Sequence, residues 1–205
     1  DYCPNGLQVE GKDQIKKIIT GVTACEALIE RAISEEADAI LVHHGYFWKG
    51  ENERITGMKR KRLKLLLAHD INLIAYHLPL DAHEEIGNNI QLAKLLGLEV
   101  EGGLEPGNTR SIGLVGKLLQ PMTGTEFATL LENKLGSKPI YLEGDSKKIE
   151  RIAWCTGGAE GFIDQAIALE ADAYLTGEVS EPTFHVVQEQ GIHFFAAGHH
   201  ATERY

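Results

Sequence analysis

The sequence predicts an α/β protein made of two similar three-layer α/β/α halves from an internal duplication, with mostly parallel sheets and a metal site between the halves. The first observation behind this prediction is a gapless repeat, because residues 152–175 resemble residues 18–41 and both copies contain Glu-Ala-Asp-Ala. The second is an alternation of short apolar runs, typical of buried strands, with segments of helical periodicity. The third is that histidine and acidic residues follow several of the apolar runs.

Each copy of the repeat predicts a strand–helix–strand–helix–strand unit. The first helix of each copy has apolar residues at 3.6-residue spacing, namely Leu28, Ile29, Ala32 and Ile33, and then Phe162, Ile163, Ala166 and Ile167. The strands are predicted at 17–22, 39–42 and 71–76 in the first copy, and at 150–155, 173–176 and 192–197 in the second. The remaining helices are predicted at about 58–69 and at 181–190. Because strands alternate with helices, we expect largely parallel sheets with helices on their faces.

A stretch rich in glycine and turn residues, at 97–113, separates the two copies. We therefore place the first half at 1–105 and the second at 106–205. The second half begins with three additional elements, a strand, a helix and a short strand, predicted at 110–117, 123–135 and 139–142. Asp1 is not an initiator methionine and the chain stops soon after a candidate ligand helix, so we expect natural residues, including a C-terminal tail, beyond both ends.

Composition restricts the class of protein. The net charge of −10 argues against a protein that coats nucleic acid, although a metal site can still neutralise the phosphates of a nucleotide. Cys3, Cys25 and Cys155 show no CxxC spacing and are typical of reduced thiols in a core. No apolar run approaches the roughly 18 residues of a membrane span, and no stretch resembles a signal peptide. These features predict a cytoplasmic protein.

Candidate metal ligands follow two predicted strands of the first half. His43 and His44 end an apolar run, and Asp81 closes the segment AYHLPLD. Adjacent residues of a strand point to opposite sides, but a turn at the strand end lets both imidazoles face one site. The alternative for the pair is one core histidine and one exposed histidine. The alternative for Asp81 is that it caps a helix beginning near Ile86.

The strongest local signal is the segment GHHATE near the end of the chain. His199 and Glu203 are spaced i, i+4, so on a helical turn they lie on the same face, whereas His200 points away. The alternative is an exposed start of a helix, with Glu203 near its positive end.

Five imidazole and carboxylate ligands exceed what one tetrahedral ion needs, so the sequence predicts a site for two divalent metal ions. Mixed sites of this kind discriminate poorly among Zn, Fe, Mn, Co and Ni. No catalytic side chain is assigned, and hydroxide on the metal ions is the expected nucleophile. His77 is a candidate to ligate, to orient a ligand or to move protons, and we favour the orienting role; Glu178 is a second orienting candidate. The aromatic residues Tyr46, Phe47 and Trp48 beside the histidine pair either stack on a planar base or pack in a core or subunit contact.

The motifs DYCPNGLQVEG, ILVHHGYFWKG, YHLPLDAHEEIGNN, AWCTGG, ADAYLTGEVSE and AAGHHATER resemble those of the GTP cyclohydrolase I type 2 homologues, also called the NIF-three-like family, and the resemblance is greatest to its short bacterial type. The resemblance implies two similar α/β domains and a toroidal homohexamer. It also implies a dinuclear site formed by His43, His44, Asp81, His199 and Glu203, with Glu203 bridging the two ions.

The resemblance and the residues together leave competing functions open. The first is a metal-dependent hydrolase acting on a nucleotide-like small molecule, which for a cyclohydrolase is attacked at C8 of GTP. The second is a non-catalytic metal-binding scaffold or regulatory protein. A link to DNA repair is a third, and the acidic composition gives it little support. We expect no membrane partner.

Overall fold

A computed structural model describes residues 1–205, which form two units, Asp1–Leu80 and Asp81–Tyr205. The first unit contains a four-stranded sheet in the order β1-β4-β3-β2. Its strands are β1 (Gly6–Val9), β2 (Ile18–Thr23), β3 (Ala39–His44) and β4 (Asn72–Ala75). Its helices are α1 (Glu26–Ser34) and α2 (Gly57–Ala68). Strands β2, β3 and β4 are parallel and β1 is antiparallel to β4, so most pairs in this sheet are parallel, as the alternating pattern predicts.

The first unit by itself has two layers. Strands β2, β3 and β4 follow one another across the sheet, so right-handed crossovers place α1 and α2 on the same face. Ile29 and Leu66 of these helices are fully buried against Ile40 of the sheet. On the opposite face Ile18 is 52% exposed and Leu7 is 55% exposed. The prediction of three layers therefore does not hold within this unit, because both helices cover one face.

The second unit contains a six-stranded sheet in the order β5-β6-β8-β9-β10-β7. The short helix α3 (Leu78–Asp81) contains the boundary in the sequence between the first and second units. The strands are β5 (Leu98–Gly103), β6 (Leu114–Met122), β7 (Ile140–Leu142), β8 (Ile149–Trp154), β9 (Ala173–Thr176) and β10 (His193–Ala196). The helices are α4 (Asn88–Leu96), α5 (Gly124–Leu135), α6 (Ile163–Ala168), which follows a 3₁₀ turn (Glu160–Phe162), α7 (Glu181–Gln190) and α8 (His199–Glu203). None of the helices is long and apolar enough to cross a lipid bilayer.

Only β8–β9 and β9–β10 are parallel in this sheet, whereas the other three pairs are antiparallel. The prediction of mostly parallel sheets is therefore wrong for the second unit. Strands β5 and β6 are joined by a connection too short for a crossover, so they can pair only as antiparallel neighbours.

This hairpin also explains the position of the boundary between the two units. The sequence places it after residue 105, but β5 pairs with β6 and Leu92 of α4 lies in the core of the second unit.

Two cores on opposite faces of the six-stranded sheet make the second unit three-layered. One core contains Trp154 and Phe127 and is covered by α4, α5 and α8. The other contains Tyr174 and Phe194 and is covered by α6 and α7. The α/β class is thus confirmed, with two sheets and helices packed on them.

The repeated segments have the same cross-strand register in the two units. Ala39 pairs with Ile18 and Asn72, and the corresponding residue Ala173 pairs with Ile152 and His193. The aspartate of the repeated motif also has the same role in each copy. Asp38 Oδ2 accepts the backbone N–H groups of residues 16 and 17, and Asp172 Oδ2 accepts those of residues 150 and 151.

Candidate metal centre

Strand β3 places two imidazoles side by side at its carboxyl end. The ring centroids of His43 and His44 are 4.6 Å apart. His43 Nδ1 lies 2.9 Å from the carbonyl oxygen of Tyr76, and His44 Nδ1 lies 3.1 Å from Thr23 Oγ1. A carbonyl oxygen only accepts, so His43 Nδ1 carries a hydrogen, and in the neutral imidazole the lone pair is then on Nε2. His43 is therefore held in the tautomer that a metal ligand requires.

His77, which follows β4, belongs to the same cluster. The donor nitrogens of His43, His44 and His77 all lie within 4.8 Å of one another. His77 Nδ1 is 2.8 Å from Asp1 Oδ1, and its backbone N–H donates to Asn5 Oδ1 at 2.8 Å. Sequence reasoning missed Asp1 and Asn5, and the only signal for them was the polar DYCPNG motif itself.

Of the three aromatic residues beside the histidine pair, only Trp48 lies next to the imidazoles. Its ring centroid is 4.9 Å from that of His77 and 6.0 Å from that of His44. Tyr46 and Phe47 instead pack in the core of the first unit, where the Tyr46 hydroxyl donates to the carbonyl oxygen of Ala24.

Asp81 lies in the second unit, at the end of the helical turn α3 rather than at the end of a strand. It is buried, and its Oδ1 accepts hydrogen bonds from Asn88 Nδ2 at 2.9 Å and Thr156 Oγ1 at 3.3 Å. The capping interpretation of Asp81 is wrong, because α4 begins at Asn88 with Gly87 as its N-cap. Two buried donors therefore hold the Asp81 carboxylate in one orientation.

Helix α8 brings His199 and Glu203 together, as the i, i+4 spacing predicts. His199 Nε2 lies 3.3 Å from Glu203 Oε1, and His199 Nδ1 lies 2.6 Å from Glu178 Oε1. Glu203 and then Glu178 raise the pKa of His199 to about 9, because both carboxylates favour the imidazolium. Glu203 is buried, and a carboxylate oxygen of Asp81 lies within 4.8 Å of one of Glu203. His200 is exposed, in agreement with its position on the other side of the helix.

The backbone of the AWCTGG motif packs directly against Glu203 at Gly157. The backbone N–H of Gly157 donates to Thr202 Oγ1 at 3.0 Å, and Gly157 has a φ of +74°. A Cβ atom at Gly157 would overlap the Glu203 carboxylate. In the sequence, the segment TGG at 156–158 is too short to predict a phosphate-binding loop, and the close contact of the Gly157 backbone with Glu203 was missed.

The donors of each unit have the chemistry of a divalent transition-metal site. The first unit presents a cluster of imidazoles, and the second presents one imidazole with two carboxylates. The Nδ1 atoms of His43, His44, His77 and His199 each have a hydrogen-bonding partner outside the cluster, which is the arrangement typical of metal-ligating histidines. The residues therefore fit such ions, with preference for metals that accept both nitrogen and oxygen ligands.

Comparison with known proteins shows close relatives along the whole chain. The sequence matches the family Duf34/NIF3 (NGG1p interacting factor 3) over residues 1–205. It is 62% identical to a protein of Pseudomonas aeruginosa named "GTP cyclohydrolase 1 type 2 homolog", in an alignment that covers all of this chain and 81% of that protein. The corresponding homologue of Escherichia coli K12 is 58% identical over the same shares of the two chains.

A solved structure described as protein ybgI, of unknown function, superposes with a TM-score of 0.95 at 57% identity and covers 100% of this chain and 81% of its own. The structure of TTHA1606 from Thermus thermophilus superposes with a TM-score of 0.86 at 38% identity, covering 99% of this chain and 80% of that one. The resemblance inferred from the motifs is confirmed by these matches, and the chain belongs to the Duf34/NIF3 family.

Proposed function

We propose that this protein binds two divalent metal ions and is a metal-dependent hydrolase that acts on a nucleotide-like small molecule. The single observation that carries the proposal is the cluster of His43, His44 and His77, whose candidate ligand nitrogens lie within 4.8 Å of one another and whose Nδ1 atoms each have a hydrogen-bonding partner outside the cluster. Such an arrangement costs conformational freedom and has no purpose in a core that only needs to be packed.

The proposed ligands are His43, His44, Asp81, His199 and Glu203, with Glu203 bridging the two ions. When bound, the ions supply a nucleophile at neutral pH and stabilise the negative charge that develops on the substrate. The surrounding residues orient these ligands. Tyr76 and Thr23 fix the imidazoles of the first unit, Asn88 and Thr156 fix Asp81, and Glu178 fixes His199.

Two observations support a nucleotide-like substrate. The curated relatives carry a name that refers to a GTP cyclohydrolase, and the Trp48 indole beside the histidines offers a planar surface on which a base can stack. Phosphate groups would be repelled by the net charge of −10 of the chain unless bound cations neutralise them, which makes substrate binding depend on the metal.

The experiment that tests this function is a turnover screen of the metal-loaded protein, with GTP among the substrates and Glu203→Ala as the control. Hydrolysis of one nucleotide by the wild-type protein but not by the variant supports the proposal. Two bound ions per chain without turnover of any substrate would instead favour a non-catalytic metal-binding scaffold or regulatory protein. An absence of bound metal after reconstitution would contradict both.

We also propose that the two units arose by internal duplication. The identical register about Ala39 and Ala173 supports this origin. The two units also share a hydrogen bond from a glycine backbone N–H to the side chain of the first residue of the last repeated strand. In the first unit Gly11 N–H donates to Asn72 Oδ1 at 2.9 Å, and in the second Gly144 N–H donates to His193 Nδ1 at 3.0 Å. A superposition of the repeated strands and helices that fails to align 18–41 with 152–175 would contradict the duplication.

A homo-oligomer, in the form of a toroidal hexamer, is the proposed assembly. The support is the apolar sheet face of the first unit, on which Ile18 and Leu7 are exposed. In the second unit the residue equivalent to Ile18 is Ile152, and helices of that unit bury it completely. The first unit has no helix on the corresponding face. Exposed apolar surface of this kind favours contact with another subunit. Light scattering that reports the mass of six chains supports this assembly, and a monomer at micromolar concentration contradicts it.

A further inference from the structure

We propose that a cavity of the second unit receives the flat heterocyclic ring of the substrate, and that Gly102 is the specificity-determining residue that keeps this cavity open. The inference rests on the proposed function and extends it, because it gives the ring of a nucleotide-like substrate a place in the chain. The ring has the size of a nucleobase, and the phosphate groups of the substrate lie outside the cavity.

The cavity lies beside one of the proposed metal ligands. Its lining residues all belong to residues 81–114 of the second unit, and Asp81 is one of them. The cavity has a volume of about 300 Å³, which is at the lower end of the range for small-molecule sites. A space of this size suits a single ring system better than a whole nucleotide. The remaining groups of a substrate whose ring is held here would therefore be close to Asp81.

Gly102 is the first argument, because neither packing nor backbone conformation explains a glycine at this position. It lies at a β-bulge of β5, where the register with β6 shifts between Val100 and Gly102. A Cβ atom at the neighbouring Gly103 would lie 2.5 Å from Ser111 Cβ, so packing requires that glycine. A Cβ atom at Gly102 would meet nothing within 4 Å, and the φ of Gly102 is not in the left-handed region. A glycine of this kind within a strand is typical of a site at which a ligand approaches the backbone closely, and bulges are frequent next to active sites.

The walls of the cavity are the second argument. Ile90, Val100 and Leu114 line it with aliphatic groups, and Val100 is 38% exposed. Ser111 also lines the cavity, but its hydroxyl already donates to the carbonyl oxygen of Gly113 at 2.8 Å. The interior therefore presents mainly apolar surface, which matches the two faces of a flat ring.

The exposed polar residues of the lining are the third argument, because they favour a heterocycle over a hydrocarbon. His83 Nδ1 accepts the backbone N–H groups of Glu85 and Ile86 at 3.2 Å and 3.3 Å, so in the neutral imidazole the hydrogen is on Nε2. The imidazole of His83 and the hydroxyl of Thr109 therefore offer donors to the nitrogen and oxygen acceptors of a ring. Glu84 also lines the cavity, and its negative charge disfavours a phosphate group there.

The test uses the full chain, stripped of metal, as wild type, Gly102→Ala and Gly102→Leu, with Gly161→Ala and Gly161→Leu as matched controls. Gly161 is an exposed glycine of the same unit, and an added Cβ atom there also meets nothing within 4 Å. The probes are guanosine, adenosine and free ribose. Isothermal titration calorimetry and saturation-transfer NMR measure their affinities, and thermal unfolding checks the fold of each variant.

We expect both nucleosides to bind the wild type and ribose to bind much more weakly, because ribose lacks the heterocycle. Gly102→Leu is expected to lower the affinity for the nucleosides at least roughly tenfold, since its side chain occupies the space of the ring. Gly102→Ala should have a smaller effect in the same direction, and both Gly161 variants should bind like the wild type. If Gly102→Leu fails to fold, the affinity of Gly102→Ala decides the question.

Wild-type affinity in a folded Gly102→Leu protein would overturn the proposal and would leave the Trp48 indole of the first unit as the surface for the ring. Wild-type affinity in Gly102→Ala has the same consequence when Gly102→Leu does not fold. The proposal also fails if the wild type binds neither nucleoside, or binds ribose as tightly as guanosine. These outcomes are distinct from failure of the proposed function, in which the protein binds no divalent metal or turns over no substrate, because nucleoside binding is measured without metal and without turnover.

Discussion

Gly157 lies directly against Glu203, so closely that a Cβ atom at Gly157 would overlap the Glu203 carboxylate. The same glycine has a φ of +74°, a conformation that residues with a side chain rarely adopt. Its backbone N–H donates to Thr202, the neighbour of Glu203 on helix α8. The glycine turn that follows β8 thereby fixes the position of the Glu203 carboxylate, the candidate bridging ligand.

Replacement of Gly157 by Ala is expected to lower the free energy of unfolding by about 1–3 kcal/mol, because the positive φ becomes strained and Glu203 must move. We also expect the variant to bind fewer metal ions than the wild type. Urea denaturation and elemental analysis measure the two effects. Gly161→Ala is the matched control, since nothing lies within 4 Å of its added Cβ atom, and its effect is expected to stay within about 0.5 kcal/mol. Equal behaviour of the two variants would show that the contact with Glu203 is unimportant.

Glu203→Gln keeps the shape of the side chain but removes the negative charge that balances two cations. We expect the loss of at least one metal ion per chain, with little change in the fold, because helix α8 and the sheet do not depend on that charge. His200→Ala changes an exposed residue on the other side of the same helix and is expected to keep the wild-type metal content. Inductively coupled plasma analysis of both variants makes the comparison, and equal metal loss in both would argue against the ligand assignment.

The pKa of His199 gives a prediction for the metal-free protein. Glu203 and Glu178 raise this pKa to about 9, above the ordinary value of 6.5. A raised pKa means that the imidazolium stabilises the fold fully below pH 6.5, and that this contribution is lost as the pH rises through about 9. We expect an NMR titration of His199 to show an apparent pKa near 9, and Glu178→Gln to lower it. Glu181→Gln, which removes a carboxylate that pairs with His185 instead, should leave the titration of His199 unchanged.

The repeated aspartate predicts a different dependence on pH. A hydrogen bond from Lys12 and two backbone N–H groups hold the pKa of Asp38 well below its usual 3.8. The contribution of the ionised carboxylate is therefore present above about pH 3.8 and is lost as the pH falls below that value. Asp38→Asn is expected to be less stable than the wild type at pH 7, with the difference shrinking below about pH 4. Chemical denaturation at neutral and acidic pH measures this, with the exposed Asp13→Asn as a control; a difference that is the same at about pH 3 and pH 7 would contradict the role of the charge.

Much of the fold could be predicted from local sequence patterns. The helical periodicity about Ile29 and Ile163 and the apolar runs before His43 and Gly177 reflect the spacing of side chains along single elements, and this spacing is visible in the sequence. The i, i+4 relation of His199 and Glu203 is equally local. These patterns, together with the shared Glu-Ala-Asp-Ala motif, were sufficient to predict strands, helices and candidate ligands at their ends.

The sequence by itself therefore determined the α/β class, the repeated strand–helix order and the donor atoms available for a metal, because each of these depends on residues close together along the chain. The tertiary structure alone decided which distant groups meet. Asp1 and His77 are separated by 76 positions and Gly157 and Glu203 by 46, and only long-range packing brings them together. It also decided that β5 belongs with the second sheet, since pairing between strands depends on hydrogen bonds across the chain and leaves no periodic mark within either strand.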